Sequence, residues 1–482
     1  MQRKFLTNLA FLVLLNLLIK PFWIFGIDRS VQNAVGSQEF GFYFTLINFA
    51  FLFNILLDLG VTTFNNRNIA QHAVLLKKHF SGIITLKLLL SVVYFVVTFG
   101  VAFLIGYRGR HLTLLFLVGF NQFLISLIMY FRSNISGLLM LRTESLMSVM
   151  DRILMIGIMS VLLWGNITTE PFKIDWFVYI QTIAYGLVAL IGFLIVAFKA
   201  KFQRLSWNPL FFLMILKKSA PFALLVLLMT LYHRIDSVII ERLLPFEVGE
   251  TQVGIYAHAF RILDAANQFS NLFAVLLFPV FSKMIQDKQP LLKMIQMPLS
   301  MLFAFSIILT IGSTFYSTEI MNLLYKDYIE ASSNVFSILI FGSIAVAISY
   351  IFGTLLTANG NLKTLIGIAA FSMLVSLSVN IILVPSYGAL GSAIANVSAL
   401  FSSMILHAYF AIRKLHLKFT TFFFVRMILF AVAVFSMGYF LKELPYSWLF
   451  NLGLFVASSL ILAFSIRLIS LKEVFQILKN QE

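Results

Sequence analysis

Long apolar runs separated by short polar intervals follow one another from end to end of the chain. About 20 mostly apolar residues carry an α-helix across the hydrocarbon core of a bilayer. Fourteen segments meet that length: 5–27, 40–62, 82–106, 112–131, 146–164, 176–198, 221–240, 254–281, 297–316, 334–357, 364–384, 389–412, 422–441 and 448–468. The pattern predicts an all-α, polytopic membrane protein with about fourteen transmembrane helices. Arg3 and Lys4 followed by an apolar run have the shape of a signal peptide. That run reaches Ile27, well beyond the roughly 7–15 residues of a signal core, and no small-residue cleavage site follows, so it reads as a retained first span.

Composition strengthens this reading. Hydrophobic residues make up 60% of the 482 and charged residues 11%, with mean hydropathy +0.96, whereas soluble domains carry about 25% charged residues. There is no cysteine, which excludes disulfides, thiolate metal sites and cysteine nucleophiles. The net charge of +16 matters less than its distribution. With both termini placed in the cytoplasm, 25 of the 35 Lys and Arg fall on inner segments and 8 on outer ones, while Arg234 and Arg261 lie within spans. Cytoplasmic loops collect such charges. No basic run alternates with exposed aromatics, so nucleic acid is not an expected partner. No loop is long enough for a soluble domain. The segments "NIAQHAVLLKKHF" and "NPLFFLMILKK" read as short amphipathic helices on the inner membrane surface.

A nine-residue phrase recurs: "VGSQEFGFY" from Val35 and "VGETQVGIY" from Val248. The copies join spans 1–2 and 7–8. An even number of spans between them preserves orientation. Two parallel six-helix bundles follow, 1–204 and 205–418, with spans 13 and 14 and the tail over 419–482. Gly36 and Gly249 suit a tight turn, and Ser37 and Thr251 suit a helix cap. Gly41 and Gly254 suit close helix approach, and Tyr43 and Tyr256 an outer interface. Two similar bundles imply a cleft between them, where transporters hold substrate.

Ionisable groups inside spans are costly and face a cavity or a partner. His258, Arg261, Asp264, Gln268 and Asn271 recur every three or four residues and form one polar stripe on span 8. Span 7 adds His233, Arg234 and Asp236; span 1 adds Asn16, Lys20 and Trp23; span 2 adds Thr45, Asn48 and Asp58. One reading is structural: Arg261 and Asp264 neutralise each other, His233 sits at a helix interface, and Asp58 caps a helix or pairs with Arg67. The other is a polar, basic cleft for an anion. Lys20, Arg29, Arg234 and Arg261 serve its outer half, Arg132 and Lys363 its inner half, with Asn48 among the lining amides. Diphosphate suits such a cleft, since Arg grips phosphate oxygens in a fork and Lys acts as a point charge. No phosphate-binding loop, metal-spaced histidine cluster or catalytic carboxylate pair is present, so no enzyme activity, cofactor or ATP use is expected.

The segments "KPFWIFGIDRSVQNAVGSQEFGFYF", "LLDLGVTTFNNRNIA", "HRIDSVIIERLLPFEVGETQVGIYAHAFRI", "TANGNLKT" and "NIILVPSYGALGSAIAN" together resemble polysaccharide exporters, of the O-antigen and capsule type, in the MATE-like flippase superfamily. The extra residues Val31–Ala34 before the first Val-Gly depart from the common pattern. The resemblance implies a flippase that moves undecaprenyl-diphosphate-linked oligosaccharide across the bacterial inner membrane by alternating access. Glycosyltransferases and a polysaccharide polymerase would be its neighbours. It also implies coupling to a proton or Na⁺ gradient, with His233, Asp236, His258, Asp264 and Asp58 as candidate ion-coupling residues. A lipid II flippase is the chemically nearer alternative. A cation-coupled multidrug antiporter of the same superfamily is the other, but it calls for a carboxylate in span 1, where this chain has Lys20 and no acid before Asp28. A non-transporting scaffold would not explain charged stripes inside spans.

Overall fold

The structure, a computed structural model, describes residues 15, 18–19, 21–62, 65, 69, 74–138, 140–165, 170–202, 204–466 and 468. Every regular element among these residues is helical. A π-helical turn, Phe22–Asp28, leads into α1 (Arg29–Leu52), and a 3₁₀ turn spans Asn54–Leu57. There follow α2 (Leu75–Leu104), α3 (Arg110–Gly137), α4 (Leu141–Trp164), α5 (Ile174–Ala200), α6 (Pro209–Arg234), α7 (Asp236–Leu243) and α8 (Phe246–Gln286). The later elements are α9 (Leu292–Phe315), α10 (Ser317–Leu324), α11 (Ile329–Leu339), α12 (Gly342–Ala358), α13 (Leu362–Lys414), α14 (Thr421–Lys442) and α15 (Trp448–Ser465).

Among the described residues nine helices are long and apolar enough to cross a membrane, or ten if 223–234 and 236–243, bent by 50°, make one broken span. One of the nine is α13, whose 53 residues measure about 80 Å as a helix, more than twice a bilayer core. Pro385 removes a backbone donor and Gly388 (φ 54°, ψ −129°) breaks the helix, so this one element contains the expected spans 11 and 12. Most of span 1 lies outside the described residues.

Local chemistry sets the ends. Gly106 and Gly109, at φ 91° and 51°, turn the chain between α2 and α3. The Asn208 side chain accepts from the Phe211 amide at 3.1 Å and starts α6, which then runs unbroken to Arg234. The expected surface helix over "NPLFFLMILKK" is therefore the first half of the helix that becomes span 7. Gly36 (φ 81°) breaks α1 as expected of a turn, but its counterpart Gly249 lies inside α8. Thr251 likewise bonds back to the Glu247 carbonyl at 3.0 Å within α8 instead of capping it.

The chain divides into two compact units, 1–241 with 246–254, and 242–245 with 255–482. In the first, α3 and α4 pack on α5, and α1 packs on α3. Phe80 gathers Tyr130, Phe131, Phe193 and Phe202 into one aromatic cluster. In the second, α12 packs on α13 and α9, and α14 and α15 close on α9. Small and hydroxylated residues fill these seams: Thr310 meets Ser343 at 3.0 Å, and a Cβ on Gly438 would stand 2.7 Å from the Phe315 ring. Without a hydrophobic drive between helices in lipid, close packing and such hydrogen bonds hold spans together.

Candidate functional site

Halfway along α4, Arg152 sits where the sequence pattern placed only an inner-loop charge. Its side chain is 29% exposed. The guanidinium lies 5.0 Å from the Trp23 ring and donates to the Tyr185 hydroxyl at 3.4 Å, and Nε is 3.8 Å from Asp151. Trp23 stacks on Phe177 at 5.9 Å, and Tyr43 meets the same Phe177 edge-on at 5.4 Å. Gln181 donates to the Tyr43 hydroxyl at 2.9 Å. A cation, four aromatic side chains and an amide thus converge from the π-helical turn, α1, α4 and α5. Tyr43 and Tyr256, expected to meet headgroups from their place in the repeat, are both buried against protein.

Lys87 is the second misplaced cation. It lies inside α2 and is 1% exposed. Its three ammonium donors go to Asp58 Oδ1 at 2.7 Å, Ser126 Oγ at 2.8 Å and the Leu57 carbonyl at 3.2 Å. Asp58 also accepts from the Thr62 amide at 3.2 Å and from the Thr62 hydroxyl. The backbone around it is irregular, with Leu59 and Gly60 at φ 45° and 81°. Asp58, a candidate coupling residue, is thus clamped by Lys87; its expected partner Arg67 lies outside the described residues. Lys87 sits within the apolar run "ITLKLLL" and Arg152 heads the apolar run "RILMIG", and those runs were the signal available to find them. With both removed from the inner loops, the inner bias of Lys and Arg persists.

The remaining candidates are dispersed. In the first unit, Arg29 is half-buried, and the Asn48 amide back-bonds to the Phe44 carbonyl at 2.9 Å. Arg132 binds Glu144 through Nε at 3.0 Å and Nη2 at 2.5 Å, and Arg234 lies over the Phe51 ring at 5.3 Å. His233 packs against Tyr232 at 4.4 Å, and Asp236 is buried at the start of α7. In the second unit, His258 Nδ1 meets Ser332 Oγ at 2.7 Å while its ring stacks on Tyr325 at 3.9 Å. Arg261 and Asp264 are half-buried one turn apart on α8, and Lys363 is exposed at the start of α13. Lys20 lies outside the described residues.

One further cluster joins junctions 1–2, 3–4, 5–6 and 7–8, all on the face that the charge pattern predicts to be outer. Arg110 grips Glu39 through two 2.8 Å bonds and reaches Asp175 at 3.2 Å. Beneath it, Glu241 accepts from the Tyr107 hydroxyl at 3.2 Å and lies 3.5 Å from His111 Nε2. Glu250 accepts from Gln38 at 3.3 Å. Burial pushes the Glu250 carboxyl above its ordinary range, and Gln38 and His111 oppose that shift only in part. The two glycines of the repeated phrase meet here: a Cβ on Gly41 would overlap the Glu250 carbonyl, and one on Gly254 would overlap the Ser37 carbonyl. Among the described residues, no group of three His, Asp or Glu is placed to hold a metal ion.

Comparison with known proteins identifies a family and a fold. Residues 5–285 match the family described as "Polysaccharide biosynthesis protein". A curated relative, the probable low-salt glycan biosynthesis flippase Agl15 of Haloferax volcanii, is 26% identical over 174 residues, 35% of this chain. The match spans 36% of that protein, about a third of its length. Among solved structures, the lipid II flippase MurJ in an inward closed conformation superposes with TM-score 0.67 at 17% identity, over 94% of this chain and 99% of that one. An inward-facing MATE family multidrug transporter of the MOP superfamily gives TM-score 0.62 at 13% identity, over 82% and 94%. These chains share a fold with the present one.

Proposed function

Because the chain belongs to the polysaccharide biosynthesis protein family, we propose that it is a flippase for a lipid-linked glycan. It acts as a transporter and not as an enzyme of sugar transfer. The cargo is an undecaprenyl-diphosphate-linked oligosaccharide, moved by alternating access across the inner membrane of a bacterium, with both termini cytoplasmic. Arg29, Arg234 and Arg261, with Lys20 and Lys363, provide further positive charge along the path, and a proton or Na⁺ gradient drives the cycle. The Haloferax relative's name supports the glycan-flippase class.

The observation that carries this reading is Arg152, a half-exposed cation deep in a span between Trp23 and Tyr185. An intramembrane charge of this kind marks a substrate path. Guanidinium suits diphosphate oxygens, and a flat amphipathic ring suits the apolar face of a sugar. Asp151 leaves the guanidinium only partly neutralised at 3.8 Å.

The test is binding of a prenyl-diphosphate oligosaccharide to purified protein in nanodiscs, followed by quenching of tryptophan emission. Arg152→Ala is expected to weaken binding about 10–100-fold, since a hydrogen bond to a charged group contributes roughly 1.5–3 kcal/mol. Affinity for the same glycan on an uncharged lipid should not change. Equal weakening for both lipids, or none for either, removes Arg152 from diphosphate recognition. Uptake of a cationic drug against a proton gradient, with no glycan movement, would favour the antiporter.

A further inference from the structure

Glu241 and Glu250 come from junction 7–8 and His111 from junction 3–4, far away in sequence, and all three are largely withdrawn from water. The charged and titratable groups around them come from every element packed there. α1 brings Glu39, α3 brings Arg110 and His111, the turn before α3 brings Tyr107 and Arg108, and α5 brings Asp175. Arg242 closes α7, and Glu247 opens α8. Arg110 is committed to Glu39 and Asp175 on the rim. Of the two inner carboxylates, Glu241 accepts from the Tyr107 hydroxyl and lies near His111, and Glu250 accepts from the Gln38 amide. Phe42 meets His111 edge-on at 4.7 Å and Tyr107 stacks on it at 5.0 Å, so the ring is held in place from both sides.

Backbone geometry keeps the carboxylates in this enclosure. The Gly254 amide nitrogen would be 2.8 Å from a Cβ on Gly41, and Glu241 O would be 3.0 Å from one on Gly249. Gln32 donates to the Gly254 carbonyl at 3.4 Å. The start of α8 is therefore seated on α1 by main-chain contact. Glu250 is 6% exposed in this seated arrangement and accepts from Gln38 of α1.

We infer that Glu250, packed beside Glu241 and His111, is a proton-operated latch that holds the start of α8 against α1. Protons stabilise the seated state. An ionised Glu250 carboxylate is costly in this buried place, beside the negative charge of Glu241 and Glu39, whereas its neutral form is not. Linkage gives the direction. Glu250 binds its proton more tightly when seated than when solvated, so its contribution to seating is present at low pH and is lost as pH rises through its raised pKa. Acid on the outer side thus closes the latch, and alkali releases it. This places proton coupling of the proposed flippase at residues the sequence pattern did not select.

The test exploits the absence of cysteine in the chain. Ala34→Cys and Glu247→Cys, both at exposed positions, carry spin labels for distance measurement in nanodiscs without glycan. Between pH 8 and pH 5 the short-distance population should rise. In Glu250→Gln, which mimics the protonated side chain, it should persist to a pH more than one unit higher. Arg110→Gln, which breaks only the rim pairs, should keep the pH response. A distance distribution insensitive to pH in the labelled parent overturns the latch, as does a response unaltered by Glu250→Gln. A shift produced by Mg²⁺ or Zn²⁺ at constant pH overturns it as a proton device. The measurement needs no substrate: a pH response without glycan movement sinks the flippase reading alone, and glycan movement without a pH response sinks the latch alone.

Discussion

Lys87→Ala is expected to lower stability by about 3–5 kcal/mol, the usual cost of removing one member of a buried ion pair. The cost is large because the ammonium serves three acceptors at once: Asp58, Ser126 and the Leu57 carbonyl. Deleting it leaves the Asp58 carboxylate, 27% exposed, with only its Thr62 bonds and no opposite charge, and leaves the Leu57 carbonyl with Ser126 alone. An exposed pair such as Lys173–Glu170, at 2.7 Å, would lose little. The check is thermal unfolding of detergent-purified variants. Lys87→Met should be nearly as damaging as Lys87→Ala, since volume is not what is missing. Asp58→Asn combined with Lys87→Met should recover much of the loss, because the double change removes both charges. Equal melting of parent and Lys87→Ala would mean that the pair is dispensable. No recovery in the double variant would mean that packing, and not charge, holds the inner end of the first unit.

The second large effect belongs to the glycines of the repeat. Gly41→Ala and Gly254→Ala each place a methyl group onto main-chain carbonyl atoms that cannot rotate away. Overpacking of this kind costs typically about 1–3 kcal/mol. Here relief requires α8 to lift from α1, so the change is expected to appear as displacement of the seated helix as well as reduced melting temperature. The same substitution at Gly186 or Gly453, where a Cβ would meet nothing within 4 Å, is the control and should be nearly silent. The effects of the two glycines should fall short of their sum, since one displacement accommodates both methyl groups. Full additivity, or a silent Gly41→Ala, would contradict the close crossing.

Much of the fold was readable from apolar run length alone, and the repeated phrase marked two glycines as sites of close helix approach. That they approach each other was not readable, because it depends on α1 and α8 meeting across more than 200 residues of sequence. Lys87 and Arg152 show the opposite error. Counting every Lys and Arg as a marker of an inner loop gives the orientation pattern, but it moves a mid-helix cation to the nearest helix end. Their partners, Asp58 for one and Trp23 and Tyr185 for the other, come from elements distant in sequence. Tyr43 and Tyr256 failed for a related reason: an aromatic one turn inside a span suits either headgroups or a buried amide, and Gln181 decides the matter for Tyr43. The outer cluster escaped notice because each of its groups sits in a short junction, where a lone Glu or His reads as a solvated charge.

The seam between α9 and α14–α15 bears on how the protein is made. Phe315 of α9 waits for Gly438, and Gly312 waits for Phe455, residues synthesised more than 100 positions later. At a ribosomal rate of roughly 5–20 residues per second, that side of α9 faces lipid for several seconds or more before its partners emerge. Lipid tails solvate an apolar helix face well, so the delay carries little hazard of aggregation. Docking of the last hairpin is therefore a late step of assembly.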